Sequence, residues 1–300
     1  MGHPCHRLCR RASFRRSLPL RQGLRAMIAL RALLLFAAVL AAAPALAFDR
    51  GLAEAQAAFD SGAFARAAML ARRLQTGEGD ALASRAEMVR GDFGAEGDAR
   101  LVRFEAALRD GRRAVARAPE RPETHLAVAV ALGLVARREG SMAAHFTGMA
   151  TEARAHIDKA LALNPDNAWA HAALGGWHLE IVHAGGPLGG VVYGASADEG
   201  IAAYERALAL DPANMSIAWQ YAFQLAGFGT TAKTARAGEL LAEIAGREPA
   251  TALEKLLRDA ALELKQALDA NDMAAASRIV ALRLGRAAPP AQAPAPTGKR

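Results

Sequence analysis

The 300-residue chain predicts an all-α fold of stacked helical hairpins, a solenoid, and three observations carry the prediction. The first is a repeated phrase. Ala160-Leu161-Ala162-Leu163-Asn164-Pro165-Asp166-Asn167 returns as Ala207-Leu208-Ala209-Leu210-Asp211-Pro212-Ala213-Asn214. Each copy ends an apolar helical run and breaks it at Asn/Asp-Pro, because proline lacks an N–H and disfavours helical backbone just before it. A new helix then opens with an aromatic, Trp169 or Trp219. The second is composition: 52 % hydrophobic but only 5 % aromatic residues, an Ala/Leu-rich interior suited to closely approaching helices rather than sheets. The third is spacing, since Pro119, Pro165 and Pro212 lie 46 and 47 residues apart. Self-similarity at such a period marks one supersecondary unit per interval.

The overall charge of +7 misleads about partners. Residues 1–47 hold eight Arg and no acid; without them 29 basic residues face 30 acidic, a net charge of −1. A nearly neutral body gives counterion-release binding to nucleic acid little to work with. The leader ends as an export signal does: Arg31, an apolar run from Ala32 to Ala43, then Pro44 and Ala45-Leu46-Ala47. The small-x-small ending predicts cleavage after Ala47, and a 12-residue apolar run is too short to span a bilayer. Met27 is an alternative start to Met1, and Arg15-Arg16-Ser17-Leu18 loosely follows a twin-arginine pattern. Both cysteines, Cys5 and Cys9, lie in this leader, so a mature chain has no thiol for a disulfide or a Cys-based metal site.

Taken in order, the body from Phe48 to Arg286 divides into six helix pairs. Gly62 ends the first helix and Phe64 opens the second, since glycine suits the left-handed residue of a helix stop. The second pair has helices near Ala81–Arg90 and Ala99–Ala118, closed by Pro119. The third pairs Pro122–Arg137 with Thr151–Leu163. The fourth joins the helix around His171–His178 to one near Asp198–Leu210. The fifth runs from Met215 to Pro249, and the sixth, Thr251–Asp269 with Asp272–Leu284, reads as a C-terminal cap. After Arg286 a Pro/Ala-rich tail, 287–300, cannot form a packed element and is expected to be disordered.

These units resemble tetratricopeptide repeats, whose pattern is W-x2-L-G-x2-Y, then A-x3-F, then P. His171-x2-Leu174-Gly175-x2-His178 fills the first half, with His in place of Trp and Tyr. Ala153-x3-Ile157, Ala160 and Pro165 fill the second half one unit earlier, whereas Gly200-x3-Tyr204 departs from the usual Ala. The resemblance implies a right-handed α-solenoid of about six such units. Two are longer than the family's 34 residues, the excess falling between their paired helices: around Arg138–Ala150, and at Ala184–Ala195. The second insertion is expected as a Gly-rich loop. It is apolar for a solvated loop, and Leu188, Val191, Val192 and Tyr193 predict a segment packed internally or set against a partner.

No convergent polar cluster points to catalysis. His171 and His178 stand about 10 Å apart along a helix axis, too far to share a metal, and coincide with the large packing positions of the repeat pattern. His125, His145, His156 and His183 form no ligand spacing. Gly185-Gly186 and Gly189-Gly190 lack the preceding strand and following Lys-Ser/Thr of a phosphate loop. Ser141 and Ser196 sit in no nucleophile elbow, and Glu152, Asp158, Glu199 and Glu205 read as solvated helix faces. The expectation is no enzyme, no cofactor and no metal.

In tetratricopeptide proteins the first helix of each pair, helix A, lines a concave groove where partners bind. Alignment carries that role to Trp169 and Glu180 in the fourth unit and to Trp219 and Phe223 in the fifth, with Leu188 and Tyr193 of the insertion beside them. The resemblance thus implies an exported, periplasmic or secreted scaffold holding a protein or peptide partner. Nucleic acid and stable membrane insertion are excluded, and self-association is the other partnership such surfaces admit. The alternative is a transport-accessory or small-ligand protein, similar to the helical components of tripartite solute transporters. That reading needs an enlarged pocket lined by Trp177, Leu188, Val191 and Tyr193.

Overall fold

Asn167 and Asn214, the last residues of the repeated phrases, are the physical reason each phrase starts a helix. Asn167 Oδ1 accepts from the Ala170 N–H at 3.0 Å, and Asn214 Oδ1 from the Ser216 and Ile217 N–H groups, both at 3.2 Å. Each side chain satisfies helix-end donors that would otherwise be orphaned. The computed structural model describes residues 50–139 and 147–283. The leader 1–47 with its cleavage site, the middle of the first insertion (with Ser141 and His145) and the tail 287–300 lie outside the described residues.

The described residues are helical throughout, with no strand among them. Helix α1 (50–60) turns at Gly62, whose φ of +85° is the left-handed conformation glycine permits, into α2 (Phe64–Arg73). The remaining pairs are α3 (Gly77–Gly94) with α4 (Gly97–Arg117), α5 (Pro122–Glu139) with α6 (Met149–Leu163), α7 (Ala168–Tyr193) with α8 (Ala197–Leu210), α9 (Met215–Phe228) with α10 (Thr231–Ala245), and α11 (Ala252–Asp269) with α12 (Met273–Arg283). The first helices stack directly: α3 on α5, α5 on α7, α7 on α9 and α9 on α11. This is a helical solenoid, its core running along the stack instead of gathering at one centre.

Small residues set how closely the layers approach. A Cβ added to Gly175 would lie 2.5 Å from Tyr204 Cδ2 and 2.8 Å from the Gly200 carbonyl oxygen, so α7 and α8 meet where both lack side chains. Gly200 replaces the usual Ala for the same reason, since its Cβ would fall 2.8 Å from Leu179. Tyr204 fills the remaining volume and stacks on Tyr221, ring centroids 4.7 Å apart.

Across α2, α3 and α4 a file of alternating charge runs beside the apolar packing. Asp80, Glu87 and Asp110 are 1–2 % exposed. Arg72 reaches Glu87 at 2.8 Å and Asp110 at 2.6 Å; Arg113 bridges Asp110 to Asp80, which also takes Arg117; Arg90 and Arg103 close the file on Glu87. Each buried carboxylate therefore has cationic donors, as burial in low dielectric requires.

The second insertion differs from the expected loop. It continues α7 as helix to Tyr193, with one break at Gly186 (φ 56°, ψ −149°). That backbone is essentially reserved for glycine, and the flanking residues keep helical hydrogen bonding on either side. Gly194, at φ 66°, then stops the helix. Leu188, Val191 and Val192 face solvent at 72 %, 83 % and 53 % exposure, while Tyr193 meets Trp177 edge-on at 6.5 Å.

The sixth pair forms at the corner the sequence marks. Helix α11 ends in a Schellman turn: Asn271 takes φ +55°, its N–H bonds Leu268 O at 2.9 Å, and the Asp272 N–H bonds Ala267 O at 2.9 Å. This reverses the chain so that α12 packs on α9 as well as on α11.

Candidate functional site

Residues of four helix A elements lie together, and α12 packs against them. From α3 come Asp92 and Phe93, from α5 Arg137, from α7 Leu179, Glu180 and His183, and from α9 Trp219, Phe223, Gln224 and Phe228. Arg100, at the start of α4, ties the two ends together. Its Nε and Nη2 donate to Gly91 O and Asp92 O at 3.0 and 3.2 Å, and its Nη1 donates to Leu282 O at 2.9 Å, 182 residues away. One guanidinium thus covers carbonyls in the last turn of α3, where the helix dipole favours a cation, and reaches α12 as well. The Arg283 guanidinium sits 5.2 Å from the Phe93 ring centroid and 5.3 Å from that of Trp219, and 3.9 Å from Glu263.

Charges in the groove are matched. Arg137 Nε donates to Glu180 Oε2 at 3.1 Å, both side chains mostly buried. Burial works to lower the Arg137 pKa, but the Glu180 and Asp92 carboxylates outweigh it and hold the guanidinium above its ordinary value. Burial raises the Asp92 carboxyl above its ordinary value, against the pull of Arg137, Arg100 and Arg283. Burial likewise lowers Arg283, opposed by Asp92 and Glu263. Beside them Leu179, Glu180, His183, Phe223, Gln224, Gly227, Phe228 and Val280 enclose a cavity. It has room for about one water, far below a drug-sized ligand site. The Gln224 amide oxygen is buried there with no hydrogen-bond partner among the described residues.

The structure separates the residues that sequence alignment placed together. Trp219 and Phe223 are each 2 % exposed and stack at 5.7 Å, with α12 over them, so both are buried beneath a helix and not presented to solvent. Trp169 is 44 % exposed at the start of α7. The difference is register, because the repeated phrases lie 47 residues apart, which sets Trp219 opposite Ala172 and Trp169 opposite Ser216. Glu180 joins the groove through Arg137, whereas Leu188 projects from the α7 extension and Tyr193 packs on Trp177. With Leu188 and Val191 in solvent and Trp177 buried, this set encloses no channel among the described residues.

Arg100, Arg137, Arg283 and Asp92 were missed by sequence reasoning, the only signal being that each lies within a few residues of a helix end. Four other histidines are engaged elsewhere. His125 and His156 meet Nδ1 to Nδ1 at 2.9 Å, and His171 Nε2 meets Pro165 O at 2.8 Å. His178 Nδ1 accepts from the Ser196 N–H at 3.1 Å, and burial lowers its pKa. Among the described residues no group of three His, Cys, Asp or Glu is placed to hold a metal.

Stacked hairpins with an inward-facing helix A surface define a tetratricopeptide-like solenoid. A crystal structure of a thermophilic TPR protein from Thermus thermophilus is similar, with TM-score 0.51 and 19 % sequence identity, over 72 % of this chain and 98 % of that one. Residues 52–219, more than half of the chain, match the family described as regulator of microtubule dynamics protein 1-3, and the chain belongs to that family. No curated protein is significantly similar in sequence.

Proposed function

We propose that the chain is a non-enzymatic scaffold that binds a protein or peptide partner through the concave groove formed by α3, α5, α7 and α9. The observation that carries this reading is the groove's chemistry. It combines stacked aromatic residues with matched, mostly buried charges, the chemistry in which peptide contacts concentrate, and its cavity admits about one water, too little for a free metabolite. Rigid stacking preorganises such a groove and lowers the entropy lost on binding. Export of a body spanning 48–286, with the tail 287–300 as an appendage, belongs to the same proposal and is supported by the leader's composition and the near-neutral charge that remains without it.

The test is affinity capture from extract of the source organism with the chain 48–300, followed by a binding titration with each purified partner. Exchanging the groove pair as Arg137→Glu/Glu180→Arg keeps an ion pair but reverses its direction, and is expected to weaken binding at least about tenfold. Deleting 187–193 is expected to leave binding unchanged. A partner lost on that deletion and retained by the exchanged pair would move the site to the exposed Leu188/Val191/Val192 face and overturn the groove reading.

A further inference from the structure

We propose that the groove is a receptor for one amphipathic helix with a small-aliphatic stripe and an arginine on the same face. Helix α12 is that ligand in cis, and a partner helix of the same chemistry binds by taking its place. The proposal rests on the groove reading above and names both the partner's chemistry and what it must displace.

Helix α12 is read by the groove as a ligand would be. Its inward residues Ala276, Val280 and Arg283 fall at i, i+4 and i+7, one face of a helix, with Ala276 and Val280 at 2 % and 5 % exposure. The opposite face, Ser277, Arg278 and Leu282, is exposed. Val280 lines the cavity with Phe223 and lies beside Gly227, where an added Cβ would make ordinary contact with Val280 Cγ1 at 3.5 Å. Arg283 enters the slot between the Phe93 and Trp219 rings, and Arg100 donates to the Leu282 carbonyl. Small side chains let the helix lie deep; the arginine fixes its direction.

The seat is also built to be vacated. The eleven described residues of α12 would be marginal as an isolated helix, so they hold their form through contacts with α9 and α11. It is joined to α11 through the Asn271 turn, and leaving the groove gives up its packing on α9 and its contacts with α11. It fits imperfectly, leaving Gln224 Oε1 without a partner among the described residues in the cavity that Val280 lines. An occupant in cis lowers the apparent affinity of any competitor in proportion to the time the groove is filled, about tenfold for a groove free one-tenth of the time.

The probe is a fluorescein-labelled peptide of residues 271–283, titrated by anisotropy against the full chain and against the full-chain variant Val280→Glu/Arg283→Glu, in which α12 is unseated. The variant is expected to bind the peptide at least about tenfold tighter than the wild type does, and a peptide carrying the same two substitutions to bind neither. Equal binding by both chains, or none by a variant that keeps the wild-type melting profile, overturns the proposal. Hydrogen exchange on Arg100→Ala supplies a second readout that does not depend on the double variant folding. Exchange in 273–283 is expected to accelerate at least about fivefold with α9 and α11 unchanged, and acceleration spread evenly over all three overturns it. A cellular partner that binds wild type and the double variant equally keeps the groove reading and sinks this proposal. Peptide binding on release, with no partner found for the groove, does the reverse.

Discussion

Gly175→Ala tests the packing logic of the solenoid with one methyl group. Two terms oppose each other. Alanine favours helix over glycine by roughly 1 kcal/mol. Against this, the new Cβ would stand 2.5 Å from Tyr204 Cδ2 and 2.8 Å from the Gly200 carbonyl oxygen. Tyr204 is 2 % exposed and stacked on Tyr221, so its ring has no free volume to move into. The Gly200 carbonyl is backbone and yields only if α8 shifts as a body. Overpacking of this kind costs roughly 1–3 kcal/mol, and with two contacts under 3 Å the upper half applies, leaving a net loss of about 1–2 kcal/mol. At 2–4 °C per kcal/mol for a domain of this size, thermal melting followed by circular dichroism should fall by roughly 2–8 °C. Gly238→Ala, in α10, is the internal control: nothing lies within 4 Å of its added Cβ, so the helix-propensity gain should stand alone and raise the midpoint. A Gly175→Ala chain as stable as Gly238→Ala would refute the claim that α7 and α8 are held at glycine distance.

Three further outcomes follow from the same physics. Asp110→Ala leaves Arg72 and Arg113 without their shared acceptor; because both guanidiniums are more than a third exposed, the loss should be about 2 kcal/mol and not the 3–5 of a fully buried pair, measured by urea denaturation. Burial raises both the Tyr204 and Tyr221 phenol pKa values above the ordinary value. The folded state therefore holds protons that the unfolded state releases above about pH 10, and stability is present below that pH and lost as pH rises further. Tyr204→Phe should accordingly move the midpoint of alkaline unfolding upward, and an unchanged midpoint would contradict the assignment. Gly186→Ala forces a side chain into φ 56°, ψ −149° with no clash nearby, so backbone strain of roughly 1–3 kcal/mol should appear as faster hydrogen exchange confined to 187–193.

Pair boundaries were legible because their signals are local. Asn-Pro and Asp-Pro followed by a capping Asn act within one turn, and Gly62 and the 270–272 corner declare themselves the same way. The α7 extension is hidden because its glycines carry the composition of a loop. Only Gly186 departs from helical backbone, and Gly189 packs with its Cβ position 2.9 Å from Ile181 O. Trp169 and Trp219 look equivalent because each follows a phrase, but three residues of register put one in solvent and the other under α12. The groove's ion pairs and the return of α12 were out of reach. Arg100 and Leu282 are joined across 182 residues, and no local pattern encodes that meeting.

That meeting changes the mechanics of the whole array. A stack in which each unit touches only its neighbours can fray from either end, one layer at a time. By clasping α12 to the second pair, Arg100 puts a buckle across layers that are not neighbours in the stack. Whatever unfastens the buckle also alters the stiffness of the coil that grips it.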